Sequence, residues 1–316
     1  MISIRWLGLG FCFWLFSSAA GCRRGELPTP GVPGPLASAL LALAAEQGTP
    51  PPEVARTWRA IEDLATRVSA TRPGARAGGV DAIARVLFDQ AGFEREVERT
   101  DPEFLLLPSV VAGRRGGCVG LGALVLAIGE TLGIPIAGVM VPGHFFVREL
   151  GPGAHNVELL RRGETMPDAW YVGKYGPWAP SASAYLRPLE LPEVIAVHWF
   201  NIGNLHRIAG DLPGAAAAYR QAVEDFPTFA EAAASLGAVL QLRGDLQGAI
   251  LSYDAAARAR PDLPGLAHNL SVLELAILDS DPSVLGKIRS ARSAASPTPS
   301  REREPESGQS PRRSTP

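Results

Sequence analysis

The sequence predicts an α+β protein, with a mixed domain of helices and a small antiparallel sheet followed by an all-α helical repeat. Three observations carry this. A helical pattern starts at Cys118, where Leu121, Leu124, Val125, Ile128 and Leu132 recur at three- and four-residue steps. Two short apolar runs, 136–141 and 144–149, read as strands interrupted by Pro142-Gly143, and Gly151-Pro152-Gly153 turns the chain into a return strand at 156–160. After Leu191, Gly203, Gly210, Leu212, Ala215, Tyr219, Ala222 and Pro227 each find the same residue type 34 residues on, at Gly237, Gly244, Leu246, Ala249, Tyr253, Ala256 and Pro261.

The chain has 316 residues, 46% of them hydrophobic and 20% charged, with a net charge of −2. That is an ordinary globular composition with room for one large or two small domains. The charge balance gives no reason to expect nucleic acid as a partner.

Five segments follow in order. Residues 1–21 have the form of a secretory signal: Arg5, an apolar run from Trp6 to Phe16, then Ser17-Ser18-Ala19-Ala20-Gly21. The run is shorter than the roughly 20 residues that span a bilayer. Residues 22–35, rich in Pro and Gly, read as a tether. Residues 36–190 form the mixed domain. Its front half is helical, at 36–46, from Pro52, at 79–90 and at 104–111, and these helices pack around the one that begins at Cys118. Residues 191–280 hold two full repeats and a capping helix. Residues 281–316 read as a disordered tail, mostly Ser, Pro, Arg and Glu from Arg289 on.

The chemistry centres on two stretches. Cys118 is the one cysteine of three that lies clear of the N-terminal apolar segment. Gly116 and Gly117 precede it, and a thiol at a helix start feels the positive end of the helix dipole, which favours thiolate. His144, 26 residues later, opens a strand. A helix-start cysteine with a downstream strand histidine is how papain-like enzymes place a thiol nucleophile and its base. The plain alternative is a small buried thiol and a structural histidine.

Hairpin register bears on a third residue. A turn centred on Gly151 sets His144 opposite Glu158, whereas one centred on Leu150 sets it opposite Asn156, on the same face. Glu158 is the first choice and Asn156 the second. Arg114 and Arg115 either support the thiolate or a substrate carboxylate, or form a solvated pair. Trp170, Tyr171, Tyr175, Trp178 and Tyr185, interspersed with Gly and Pro, read as a loop rather than a helix. That loop either packs across the domain junction or walls the cleft. No residue set has metal-ligand spacing, and no cofactor motif is present.

Arg114-Arg115-Gly116-Gly117-Cys118-Val119-Gly120-Leu121, with Leu132-Gly133-Ile134-Pro135 and Pro142-Gly143-His144-Phe145-Phe146-Val147-Arg148, resembles the transglutaminase-like family of bacterial SirB-type proteins, over about Leu36 to Leu275. The resemblance implies a papain/transglutaminase-like core, and several such proteins carry tetratricopeptide repeats behind it. The 34-residue period here is that of the tetratricopeptide helix–turn–helix unit. In related proteins the third catalytic residue is usually an Asp on the returning strand. No Asp lies between His144 and Met166 in this chain, which leaves Glu158 or Asn156 to orient the imidazole. Ala19-Ala20-Gly21-Cys22 resembles a bacterial lipobox, which implies lipidation of Cys22 and a place in the bacterial envelope. Ordinary cleavage after Ala20 and an uncleaved anchor are the other readings of the same residues.

Two functions are expected from this. The first is a membrane-tethered cysteine acyl-transfer enzyme acting on amide bonds of protein or peptide. The second is an inactive core that binds a protein partner, with the repeat groove as adaptor. The repeats either offer that groove or brace the core, since two are fewer than the about three needed for independent stability.

Overall fold

The computed structural model describes residues 31–71, 79–97, 101–178 and 184–280. The signal-like segment with Cys22 and the tail from 281 lie outside the described residues, as do the expectations that rest on them.

Helices α1 (Pro35–Glu46) and α2 (Pro51–Ala70) both begin with proline in the first turn, where its missing N–H costs nothing. The start of α1 is met by a carboxylate: Glu130 accepts from the Leu36 and Ala37 N–H groups at 2.9 Å each. Helix α3 (Gly79–Arg85) runs on as a wider π-type turn over Val86–Gln90. Strand β1 (Glu94–Arg95), helix α4 (Leu107–Gly113) and strand β2 (Arg115–Gly116) lead to α5 (Cys118–Thr131). β1 and β2 form a two-residue parallel pair that the sequence patterning did not signal.

The structure differs from the periodic reading at α5. Its sequence pattern marks one apolar face, yet every residue from Val119 to Gly129 is buried, so the helix is the axis of the core. Small residues open the remaining faces. A Cβ on Gly122 would lie 2.5 Å from Phe145 Cε1, and one on Gly120 would lie 2.2 Å from the Phe104 carbonyl oxygen. The sheet and the 104 segment therefore press directly on the helix backbone.

The sheet is antiparallel, in the order β3 (Ile136–Val141), β4 (His144–Glu149), β5 (His155–Glu158) and β6 (Glu164–Met166). Gly143 turns β3 into β4 with φ +70°. The β4–β5 ladder pairs Val147 with Val157 and Arg148 with Asn156. The hairpin is thus centred on Pro152, one residue beyond the expected Gly151, because both Gly151 and Gly153 take positive φ. Continuing this register sets Glu158 level with Phe146, two residues along the same face from His144.

Residues 168–175 correct a second expectation. They are not a loop but helix α6 (Asp168–Tyr175), entered from Pro167 with Asp168 in its first turn. Pro167 and Gly176 mark its ends and Gly173 lies within it, while Tyr171 and Tyr175 share its inward face.

Helices α7 (Leu191–Ile208) and α8 (Leu212–Asp225) form a hairpin, and α9 (Ala230–Leu242) and α10 (Leu246–Ala259) form another, followed by α11 (Leu266–Ser280). The hairpins repeat each other in detail. Asp211 caps α8 through the Gly214 N–H and Asp245 caps α10 through the Gly248 N–H, both at 2.9 Å. A Cβ on Gly203 would strike Tyr219, and one on Gly237 would strike Tyr253, at 2.5 and 2.8 Å. The main hydrophobic core does not stop at 190. It runs from α5 and Phe145 through Val194, Val197 and Ile202 of α7 to Phe229. Among the described residues no helix is long and apolar enough to cross a membrane.

Candidate functional site

Gly117, at the N-cap of α5, provides no side-chain cap. The first-turn N–H groups of Cys118, Val119 and Gly120 therefore point beyond the helix end without an intrahelical acceptor. Cys118 is a half-buried free thiol at that position. His144 is the first residue of β4, held against α5 by the close approach at Gly122.

The structure brings Cys118, His144 and Glu158 together. His144 hydrogen-bonds to Glu158 and lines the same cavity as Cys118. Its Nε2 lies 2.7 Å from Glu158 Oε2, with the two side chains only 3% and 2% exposed. With Nε2 on the carboxylate, Nδ1 is the nitrogen left for the sulfur. Glu158 is fixed in turn, because its Oε1 accepts from the Leu160 N–H at 3.0 Å. Burial works to lower the His144 pKa. The hydrogen bonds and charges of Cys118 and Glu158 outweigh it and raise the value to about 9.

Asn156 is placed elsewhere. Its Oδ1 accepts from Arg148 Nε at 2.5 Å, and its Nδ2 donates to the Met166 carbonyl and to Asp168. Arg148 also reaches Asp168 at 2.6 Å. Asn156 therefore ties β4, β5 and α6 together, and Glu158 is the residue that meets the imidazole. Register explains the choice: Asn156 pairs directly with Arg148, while Glu158, at the strand end, reaches diagonally to His144.

Helix α6 supplies neighbours that the sequence grouped as aromatic without placing. The Tyr175 ring stacks on His144 with centroids 4.8 Å apart and planes 6° apart. Tyr171 is fully buried and stacks on Phe146 at 3.8 Å. Burial and the Glu158 charge push both phenols up, Tyr175 to about 12 and Tyr171 beyond it. The i, i+4 spacing of these tyrosines was the available signal. Trp178 and Tyr185 pack on each other at the junction with the repeats instead.

Arg114 takes a left-handed backbone and donates to the Ala91 carbonyl at 3.1 Å. Arg115 pairs with Glu96 at 2.8 Å. His155 starts β5 and bonds Asp81 at 3.1 Å and the Gly153 carbonyl at 3.0 Å. The thiol opens into a cavity of about 550 Å³ whose rim carries Arg95, Asp101, Arg161 and Lys174. Asn201 of α7 also reaches this cavity, and nothing in the sequence pattern singled it out.

The site thus sets a half-buried thiol at a helix start beside a buried imidazole–carboxylate pair of the antiparallel sheet. Residues 55–196 match the family model described as the transglutaminase-like superfamily, so this part of the chain is similar to that family. A UPF0162 protein of Vibrio cholerae is 29% identical over 121 residues, 36% of this chain and 45% of that protein. One of Pseudomonas aeruginosa is 27% identical over 185 residues, 57% of this chain and 67% of that protein. The chain thus spans less than half the length of the first of these relatives. Menin, whose crystal structure is described as revealing the binding site for Mixed Lineage Leukemia (MLL) protein, aligns with a TM-score of 0.40 at 14% identity, over 84% of this chain and 80% of menin. So loose a likeness carries no argument.

Proposed function

We propose that this protein is a cysteine acyl-transfer enzyme acting on amide bonds of protein or peptide. The observation that carries the reading is the buried His144–Glu158 pair, with Nε2 on the carboxylate, beside the Cys118 thiol at the start of α5. In this mechanism Cys118 Sγ attacks the amide carbonyl carbon. The oxygen takes up the electron pair and is met by the Cys118 N–H at the positive end of α5. The tetrahedral adduct collapses to a thioester as His144 gives its proton to the leaving amine, and Glu158 holds the tautomer and stabilises the imidazolium throughout. Water, activated by His144, then releases an acid, or an amine takes the acyl group.

The finer features belong to the same proposal. The protein is of the SirB type, its helical hairpins are tetratricopeptide repeats, and it is exported and held in a bacterial envelope through a lipid on Cys22. Support comes from the residue patterns at Cys118 and His144, the 34-residue repeat and the Ala19-Ala20-Gly21-Cys22 segment. A second reading, a binding-only core with the repeats as adaptor, draws on Ile208, Leu242 and Leu251, whose apolar side chains are exposed.

The test is the pH dependence of alkylation by iodoacetamide, followed at Cys118 by peptide mass spectrometry, in the full chain and in His144→Ala. Fast labelling below pH 8 that slows at least tenfold in the variant supports the enzyme. Slow labelling that is alike in both proteins moves the conclusion to the adaptor.

A further inference from the structure

Cys118 and His144 face two cavities. The wide one lies on the side of Arg95, Phe104 and α6. A second, of about 220 Å³, runs the other way beneath the helical hairpins. Val119, Gly143 and Asn201 line both, so the two spaces meet at the thiol.

The second cavity has an apolar body, with Asn201, Asn204 and Glu231 as polar members of its lining. Its walls include Met140 and Phe145 from the sheet, Val197 and Phe200 from α7, and Phe229 just before α9. Val197, Phe200, Asn201 and Asn204 all line it because steps of three and four put them on one face of α7. Pockets for drug-sized ligands run to roughly 300–1,000 Å³, so this smaller space suits a single side chain. Asn201 stands where the cavities join. Its Nδ2 donates to the Val197 carbonyl at 2.8 Å, which turns Oδ1 to other donors. The wall is anchored. Glu231, in the first turn of α9, accepts from both Tyr185 and the buried Arg260, which also donates to the Tyr185 hydroxyl at 3.0 Å.

Resting on the acyl-transfer reading, we propose that this second cavity is a specificity pocket for the apolar side chain of the residue that bears the carbonyl attacked by Cys118, with Asn201 Oδ1 accepting that residue's N–H. The substrate class is then a peptide, or an N-acylated amino-acid amide, with a medium-sized apolar residue such as Leu or Met at this position. The helical hairpins are part of the substrate site.

The test uses the full chain and a series of N-acetyl-aminoacyl acyloxymethyl ketones carrying Gly, Leu, Phe, Asp or Lys. The thiolate displaces the carboxylate leaving group to form a thioether, and the rate is followed at Cys118 beside iodoacetamide as a side-chain-blind control. The Leu probe is expected to label at least about tenfold faster than the Gly and Asp probes, as one apolar group in a fitted pocket allows. Val197→Phe fills the pocket and brings the Leu/Gly ratio toward one. Phe229→Leu widens it and moves the preference from Leu to Phe, and circular dichroism melting establishes that each variant is folded. Fast, His144-dependent reaction with iodoacetamide but equal rates across the series, or a preference unmoved in both variants, overturns the pocket and leaves the enzyme standing. Slow iodoacetamide labelling that is indifferent to His144→Ala overturns the acyl-transfer reading and the pocket with it.

Discussion

Glu158→Gln tests the charge relation at the centre of the site while keeping its shape. The carboxylate is bound at both ends, with Oε1 on the Leu160 N–H and Oε2 on His144 Nε2. An amide in its place must put its oxygen on the Leu160 N–H. Its NH2 then faces Nε2, so the imidazole must carry its proton on Nδ1, where it can no longer accept one from Cys118. A hydrogen bond to a charged group is worth about 1.5–3 kcal/mol. Losing it should lower the His144 pKa by about one to two units from about 9. The thiolate–imidazolium pair should become about 10- to 150-fold rarer, and the tautomer change adds to this in amide turnover, where the matching substitution in a Ser-His-Asp triad costs about 10,000-fold. The assay is the NMR titration of the His144 ring together with the rate of Cys118 alkylation across pH. Asn156→Ala is the control, because Asn156 bonds Arg148 and Asp168 rather than the imidazole. A Glu158→Gln protein that alkylates within threefold of the parent with an unmoved histidine titration would refute the reasoning, as would a larger effect from Asn156→Ala.

Three further outcomes are expected. His144 has its folded pKa raised to about 9 from 6.5, so its linked stability is full below about pH 6.5 and is lost as pH rises through about 9. Urea midpoints should fall between pH 7 and 10 and do so less in His144→Phe, and identical slopes in the two proteins would contradict this. Gly122→Ala places a methyl 2.5 Å from Phe145 Cε1 and should cost about 1–3 kcal/mol of stability while loosening β4 from α5. Calorimetry reads the first effect and slower Cys118 alkylation the second, and an unchanged melting temperature would be the failing result. Arg260→Met leaves the Glu231 carboxylate without its buried cation and should cost about 3–5 kcal/mol in chemical denaturation, whereas a loss near zero would mean that the pair is solvated.

The strands 136–141 and 144–149 were legible because short apolar runs and turn residues are local signals, and both run over those residues in the structure. The hairpin's register was not, since a glycine–proline–glycine turn can centre on any of its three residues and only the positive φ at Gly151 and Gly153 decides it. Parity alone kept Glu158 and Asn156 on the histidine's face, and reach along the strand separated them. Helix α5 was recognised by one apolar stripe, but its burial on every side depends on Gly120 and Gly122, whose meaning lies in what presses on them from distant parts of the chain. Helix α6 was hidden because Gly173, Gly176 and the flanking prolines outweigh an eight-residue pattern. Asn201 carries no signal in sequence at all, because its place beside the thiol depends on how α7 docks.

That docking bears on whether the helical hairpins offer a groove or serve as a brace. Val194 and Val197 of α7 are buried in the same core as α5 and Phe145, while Gly203 on the same helix is packed by Tyr219 of the first hairpin. One helix therefore belongs to both units, and two repeats, too few to stand alone, gain their missing neighbour from the core. The relation is reciprocal. The residues that let the repeats lean on the core, Val197 and Phe200, also line the space behind the thiol. A brace that forms the wall of the cavity cannot be moved without moving the wall, so the bracing and the shape of the cavity are two consequences of one packed surface.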